Sequence, residues 1–198
     1  MDGEMMTMAT DYMLGFVALG LGIHLLHARR LLLAGAAFFA IGFAALAGGA
    51  YHGLLGFLGE PVVARLFRAS LISIGLSNLL LVLAVLDIIA PQENWRPWIT
   101  ALVAKLVVYL FWAIRTADFR AAICDYAITL AVIFWLARNG PRTFVRPIRA
   151  GIFVSLAASA VQLAHLAPAA SFNHNDLYHV MQIGAVVLFH RAFQKSSG

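Results

Sequence analysis

"LLAGAAFFAIGFAALAGGAYHGLLG", residues 32–56, contains no aspartate, glutamate, lysine or arginine. A hydrocarbon core about 30 Å thick takes roughly 20 apolar residues of α-helix, so an uncharged run of this length reads as a membrane-spanning helix. The pattern repeats along the chain at approximately 9–27, 62–89, 98–115, 119–137, 148–167 and 173–191, giving seven stretches with almost nothing left for a soluble domain. The expected fold is therefore all-α: one seven-helix transmembrane domain over residues 1–198.

Composition agrees. Hydrophobic residues make up 62% of the chain and charged residues 12%, with a mean hydropathy of +0.86; soluble domains are about 45–50% apolar and about 25% charged. Short breaks separate the stretches: "HARR" at 27–30, "GEP" at 59–61, "APQENWRP" at 90–97, "RTADFR" at 115–120, "RNGPRTFVRP" at 138–147 and "APAASFN" at 167–173. Each is a turn between antiparallel neighbours. Arg29, Arg30, Arg96, Arg138, Arg142, Arg146, Arg149, Arg191 and Lys195 fall on one side, and Arg65, Arg68, Arg115 and Arg120 toward the other. The excess of basic residues places the first side in the cytoplasm, the N-terminus outside and the protein in the plasma (cell inner) membrane.

The opening "MDGEMMTMATDYM" is acidic and lacks the basic region and cleavage site of a signal peptide, so the first helix is expected to be retained. The net charge of +5 belongs to a basic rim facing membrane lipids rather than to nucleic-acid binding. One cysteine, Cys124, excludes an intramolecular disulfide.

Alternating helix directions give each polar residue a depth. His52, His165, His174 and His179, four of the seven histidines, gather at the outer level on three helices. His27 and His190 lie beside arginines at the other end and read as interface anchors. In the seventh stretch Asn175, Asp176, His179 and Gln182 share one helical face. Ser155, Ser159, Gln162 and His165 repeat the pattern in the sixth, and Ser70, Ser73 and Ser77 share a face of the third. Thr10 and Asp11 open the first at the same level. Gly42, Ala45 and Gly49 form a small-residue stripe that brings His52 close to its neighbours. Any one of these groups alone also fits a capping role, such as Asn173 or Asn175 ahead of Asp176. Convergence on several helices is what marks a site, because polar groups inside a bilayer are costly. The expected pocket lining is Asn175, His165, Gln182, Ser70 and Ser73. Deeper in, Lys105 and Asp125 lie at similar depth on adjacent helices and are expected to pair.

A hydrolytic zinc site needs about three nitrogen or oxygen ligands and an open position for water. His52 and His179 supply two imidazoles. The third ligand is His174 or Asp176, with His165 a further candidate, and Asp176 or Asp11 would be the general base or water orienter.

Seven helices, a histidine ending the second and "NDLYHVMQIGAVVLFH" opening the seventh resemble the CREST superfamily, which includes alkaline ceramidases and the progestin and adipoQ receptors. The resemblance aligns His179 and His190 with the family's helix-seven histidines and His52 with its helix-two zinc histidine. It implies zinc-dependent hydrolysis of a lipid amide or ester. Three positions depart from the family pattern. Asn175 stands where the first histidine of H-x-x-x-H belongs, Gly48 replaces the serine one turn before His52, and the third helix lacks the expected aspartate. The reading with most weight beside the hydrolase is a non-enzymatic protein of the same fold whose outer polar pocket binds a ligand or is structural. A haem or copper protein and a transporter carry less support.

Overall fold

A computed structural model describes residues 3–27, 31–169 and 171–196. Among them are seven α-helices: α1 (Gly3–His27), α2 (Leu32–Leu54), α3 (Glu60–Ile89), α4 (Arg96–Thr116), α5 (Phe119–Ala137), α6 (Arg142–Leu163) and α7 (His174–Ser196). Arg29 and Arg30 lie outside the described residues.

Helix ends follow from local chemistry. Pro61 stands in the first turn of α3, which stops at Ala90, held extended by the Pro91 that follows. Asp118 caps α5 by accepting from the Arg120 N–H at 2.8 Å. Several ends differ from the hydropathy reading, α6 stopping at Leu163 rather than near 167 and α7 running to Ser196 rather than 191. α1 begins at Gly3 rather than near 9, with Glu4 in a first turn that favours a negative charge. α6 begins at Arg142, directly after the extended Pro141, because arginine is a good helix former that an apolarity criterion discards. It ends at Leu163, and His165 follows in the left-handed region at φ 52°.

α1 to α6 are each long and apolar enough to cross a membrane. α7 is not apolar enough, since its inward face carries Asp176, His179, Gln182 and His190, all buried. α1, α2, α3, α5, α6 and α7 pack successively into a ring that α7 closes against α1, and α4 lies outside it on α3 and α5. α4 is accordingly the least buried span, presenting Val107, Val108 and Phe111 outward. Phe38, Phe144, Phe189 and Phe193 anchor the main core, and Leu71, Tyr109 and Ala122 a smaller one beneath α4.

α1 and α2 approach through glycines spaced by seven: Gly15 and Gly22 on one helix, Gly35, Gly42 and Gly49 on the other. A Cβ on Gly42 would stand 2.7 Å from Leu19 Cδ2 and 3.1 Å from the Gly15 carbonyl oxygen, and one on Gly35 2.5 Å from Leu26 Cδ2. A backbone oxygen cannot step aside, so Gly42→Val is expected to cost about 1–3 kcal/mol by overpacking. Gly20→Ala, on the same interface's first helix but with nothing within 4 Å, serves as the control. Melting in detergent should fall for the first variant and hold or rise slightly for the second; equal behaviour would remove close approach as the reason for these glycines.

Candidate functional site

α1 and α7 run parallel, because their contacts climb together: Thr7 meets Asp176, Asp11 meets His179, and His24 meets His190. At the N-terminal end the contacts begin with a capping box. Asn173 Oδ1 accepts from the Asn175 N–H at 2.7 Å and the Asp176 N–H at 3.3 Å, while Asp176 Oδ2 accepts from the Asn173 N–H at 2.7 Å. Thr7 Oγ1 donates to Asp176 Oδ1 at 2.8 Å and receives from Asn173 Nδ2 at 3.1 Å. Asp176, expected as a catalytic group, is thus fully buried and committed to holding α7 against α1.

One turn deeper the network becomes titratable. Thr10 Oγ1 stands 3.0 Å from the Thr7 carbonyl oxygen and 3.2 Å from His179 Nδ1. His179 Nε2 lies 3.2 Å from Asp11 Oδ1. The ring thus bridges the Thr10 hydroxyl and the Asp11 carboxyl group. Asp11 Oδ2 lies against Gly48, 3.3 Å from where a Cβ would stand. The missing side chain at Gly48 makes room for this carboxylate.

Asp11 and His179 form part of the wall of a cavity of about 100 Å³ inside the ring. Ser70, Ser77, Asn78, Tyr126, Tyr178 and Gln182 add polar groups to walls otherwise built from Leu14, Ile41, Ala45, Leu81 and Phe189. Most of these polar groups are occupied. Ser70 donates to the Ala44 carbonyl at 2.8 Å, Tyr126 pairs with Ser155 at 2.8 Å, and Asn78 Nδ2 donates to Asp125 Oδ2 at 2.7 Å. Gln182 is the exception. Its Oε1 receives a 3.4 Å contact from Ser155, while its buried Nε2 has no hydrogen-bond partner among the described residues. Such an orphan costs about 1–3 kcal/mol.

The other expected groups sit elsewhere. Ser73, Asn175 and His165 are not among the cavity walls. Asn175 accepts from Gln162 at 2.7 Å, and His165 lies 3.2 Å from His174. His52 is paired with Glu4 at 2.6 Å, and His190, read as an interface anchor, is buried and 3.0 Å from His24. The expected zinc ligands therefore do not fit one ion: His52, His174 and His179 each have a different partner, and among the described residues no three His, Cys, Asp or Glu side chains converge in metal-binding geometry. Lys105 Nζ stands 2.6 Å from Asp125 Oδ1 and 2.9 Å from Thr129 Oγ1. Sequence reasoning missed Thr7, Asn78, Tyr126 and Tyr178; a lone asparagine inside the apolar third helix was the signal available for Asn78.

Residues 6–197 match a family of unknown function, DUF6962. The chain belongs to that family. The matched span contains Asp11, Asn78, His179 and Gln182, so the whole cavity lies within the family's domain, whereas Glu4 precedes it. No curated protein and no solved structure matches the chain.

Proposed function

We propose that the protein is a seven-span membrane protein, N-terminus outside and C-terminus cytoplasmic in the plasma (cell inner) membrane, that binds a small ligand from the lipid phase in its intrabundle cavity. The Gln182 amide nitrogen carries this reading: it is buried and makes no hydrogen bond among the described residues, and such a donor is matched by an acceptor brought by a ligand. Asn78, Ser77 and the Asp11–His179 pair supply further polar contacts beside apolar walls. A volume of about 100 Å³ suits a small molecule or a lipid headgroup portion, not a whole lipid. α7 completes the seventh span because its polar face turns into the ring and its 23 residues reach about 35 Å. A distant relation to the CREST proteins is supported by helix order and by His52 and His179, with Asp11 packed where their serine would point.

Hydrolysis of a lipid amide or ester is the second reading, favoured by one observation. A carboxyl group and an imidazole stand 3.2 Å apart at the cavity wall, a pairing that general acid–base chemistry uses. No step through zinc follows from these residues.

The test replaces Gln182 by leucine. Small molecules extracted from purified wild type and Gln182→Leu are compared by mass spectrometry, and ligand-stripped samples are melted. The expected result is a compound retained by wild type and lost from the variant. The stripped variant should be more stable by about 1–2 kcal/mol, since the orphan donor is gone. Identical extracts, with the variant no more stable, would sink the ligand reading. Turnover of lipid amides or esters by wild type, lost in Asp11→Asn, would move the assignment to hydrolysis.

A further inference from the structure

The corner between α6 and α7 holds two imidazoles that neither the cavity nor the capping box uses. His165 Nδ1 and His174 Nε2 are 3.2 Å apart, with the rings edge-on at 73° and 4.5 Å between centroids. His165 is exposed and His174 half-buried, so solvent reaches the pair.

The corner is braced on both sides. Gln162 Nε2, one residue short of a turn before His165, donates to Asn175, the neighbour of His174. Ala169 and Phe172 exchange backbone hydrogen bonds of 3.3 and 3.1 Å, closing the loop between the histidines. His165 itself is held at φ 52°, a conformation unusual for a residue with a side chain.

Two imidazole nitrogens bound to one tetrahedral ion, each about 2.0–2.1 Å from it, stand about 3.3–3.4 Å from each other. The observed 3.2 Å is close to that separation, so a small outward shift of either ring would admit an ion. We propose that His165 and His174 form a surface site for an exchangeable divalent transition ion of the Cu²⁺ or Zn²⁺ class. The ion binds the lone pairs of His165 Nδ1 and His174 Nε2 while each neutral ring keeps its hydrogen on the other nitrogen, and water fills the remaining positions. Imidazole suits these ions, whereas hard ions such as Mg²⁺ or Ca²⁺ require oxygen ligands that the pair does not offer. The site lies outside the cavity and is independent of what the cavity binds.

Full-length, tag-free protein in detergent is titrated with CuCl₂ alone in a non-chelating buffer and followed by electron paramagnetic resonance. One equivalent should bind through two imidazole nitrogens, and His165→Ala and His174→Ala should each weaken it at least about tenfold. His174→Gln, which keeps a polar group at the helix start, should behave like His174→Ala, and melting curves confirm that each variant is folded. His24→Ala should leave binding unchanged. Absence of stoichiometric copper in wild type, retention of the two-nitrogen signal in either His165→Ala or His174→Ala, or its loss in His24→Ala would overturn the proposal.

Discussion

Replacing Lys105 by alanine is expected to destabilise the protein by about 3–5 kcal/mol, the usual cost of leaving a buried charge without its partner. Asp125 is 5% exposed and holds its two oxygens toward Lys105 and Asn78. Removing the ammonium leaves the carboxylate with one neutral donor inside a span, where no water compensates. At about 2–4 °C per kcal/mol for a chain of this size, melting in detergent should fall by about 10 °C. Lys105→Met combined with Asp125→Asn removes both charges while an amide oxygen still accepts from Asn78. Most of the loss should return in that double variant. A single variant that melts like wild type would show that the pair is solvated, and a double variant worse than the sum of its singles would show that the charges stabilise more than they cost. The effect extends to the cavity, because Asp125 orients the Asn78 amide on its wall.

Asp176→Ala is expected to cost about 2–4 kcal/mol, from the loss of two hydrogen bonds to a buried carboxylate. Thr7 Oγ1 and the Asn173 N–H lose their acceptor, and with them go both the capping box and the upper tie between α1 and α7. Asp176→Asn keeps one acceptor and should recover about half. Equilibrium unfolding in SDS ranks the three proteins. If Asp176→Ala instead matched wild type in stability, the capping and bridging role would be wrong and a catalytic role for this carboxylate would regain its footing. The same variant should loosen His179 indirectly, since Thr7 and Thr10 link the two levels through the Thr7 carbonyl.

Much of the architecture was legible because a bilayer imposes a length and a polarity on each span. The runs at 32–56 and 119–137 needed only a count of apolar residues, and the structure places α2 and α5 within two residues of them. The start of α6 was not legible in that way, because its arginines form helix as readily as leucine does but lower the hydropathy. Periodicity also located the polar face of α7, since a shared face needs only the 100° step of the helix.

Partners were a different matter. Asp11 and His179 were each singled out in the sequence, yet 168 positions separate them, and nothing local states that α7 returns beside α1 in parallel. The zinc set does not assemble for the same reason: the sequence reading put His52, His174 and His179 at one level, but level is one coordinate of three, and rotation about each helix axis sends them to Glu4, His165 and Asp11. By itself the sequence determined that the chain forms apolar helices, where they sit and which faces are polar, because hydration and the helical repeat are properties of single segments. Only the tertiary structure decided which polar groups meet and which buried atoms, Gln182 Nε2 and Gln162 Oε1, make no hydrogen bond among the described residues, because hydrogen bonding between helices depends on their mutual rotation and neighbour order.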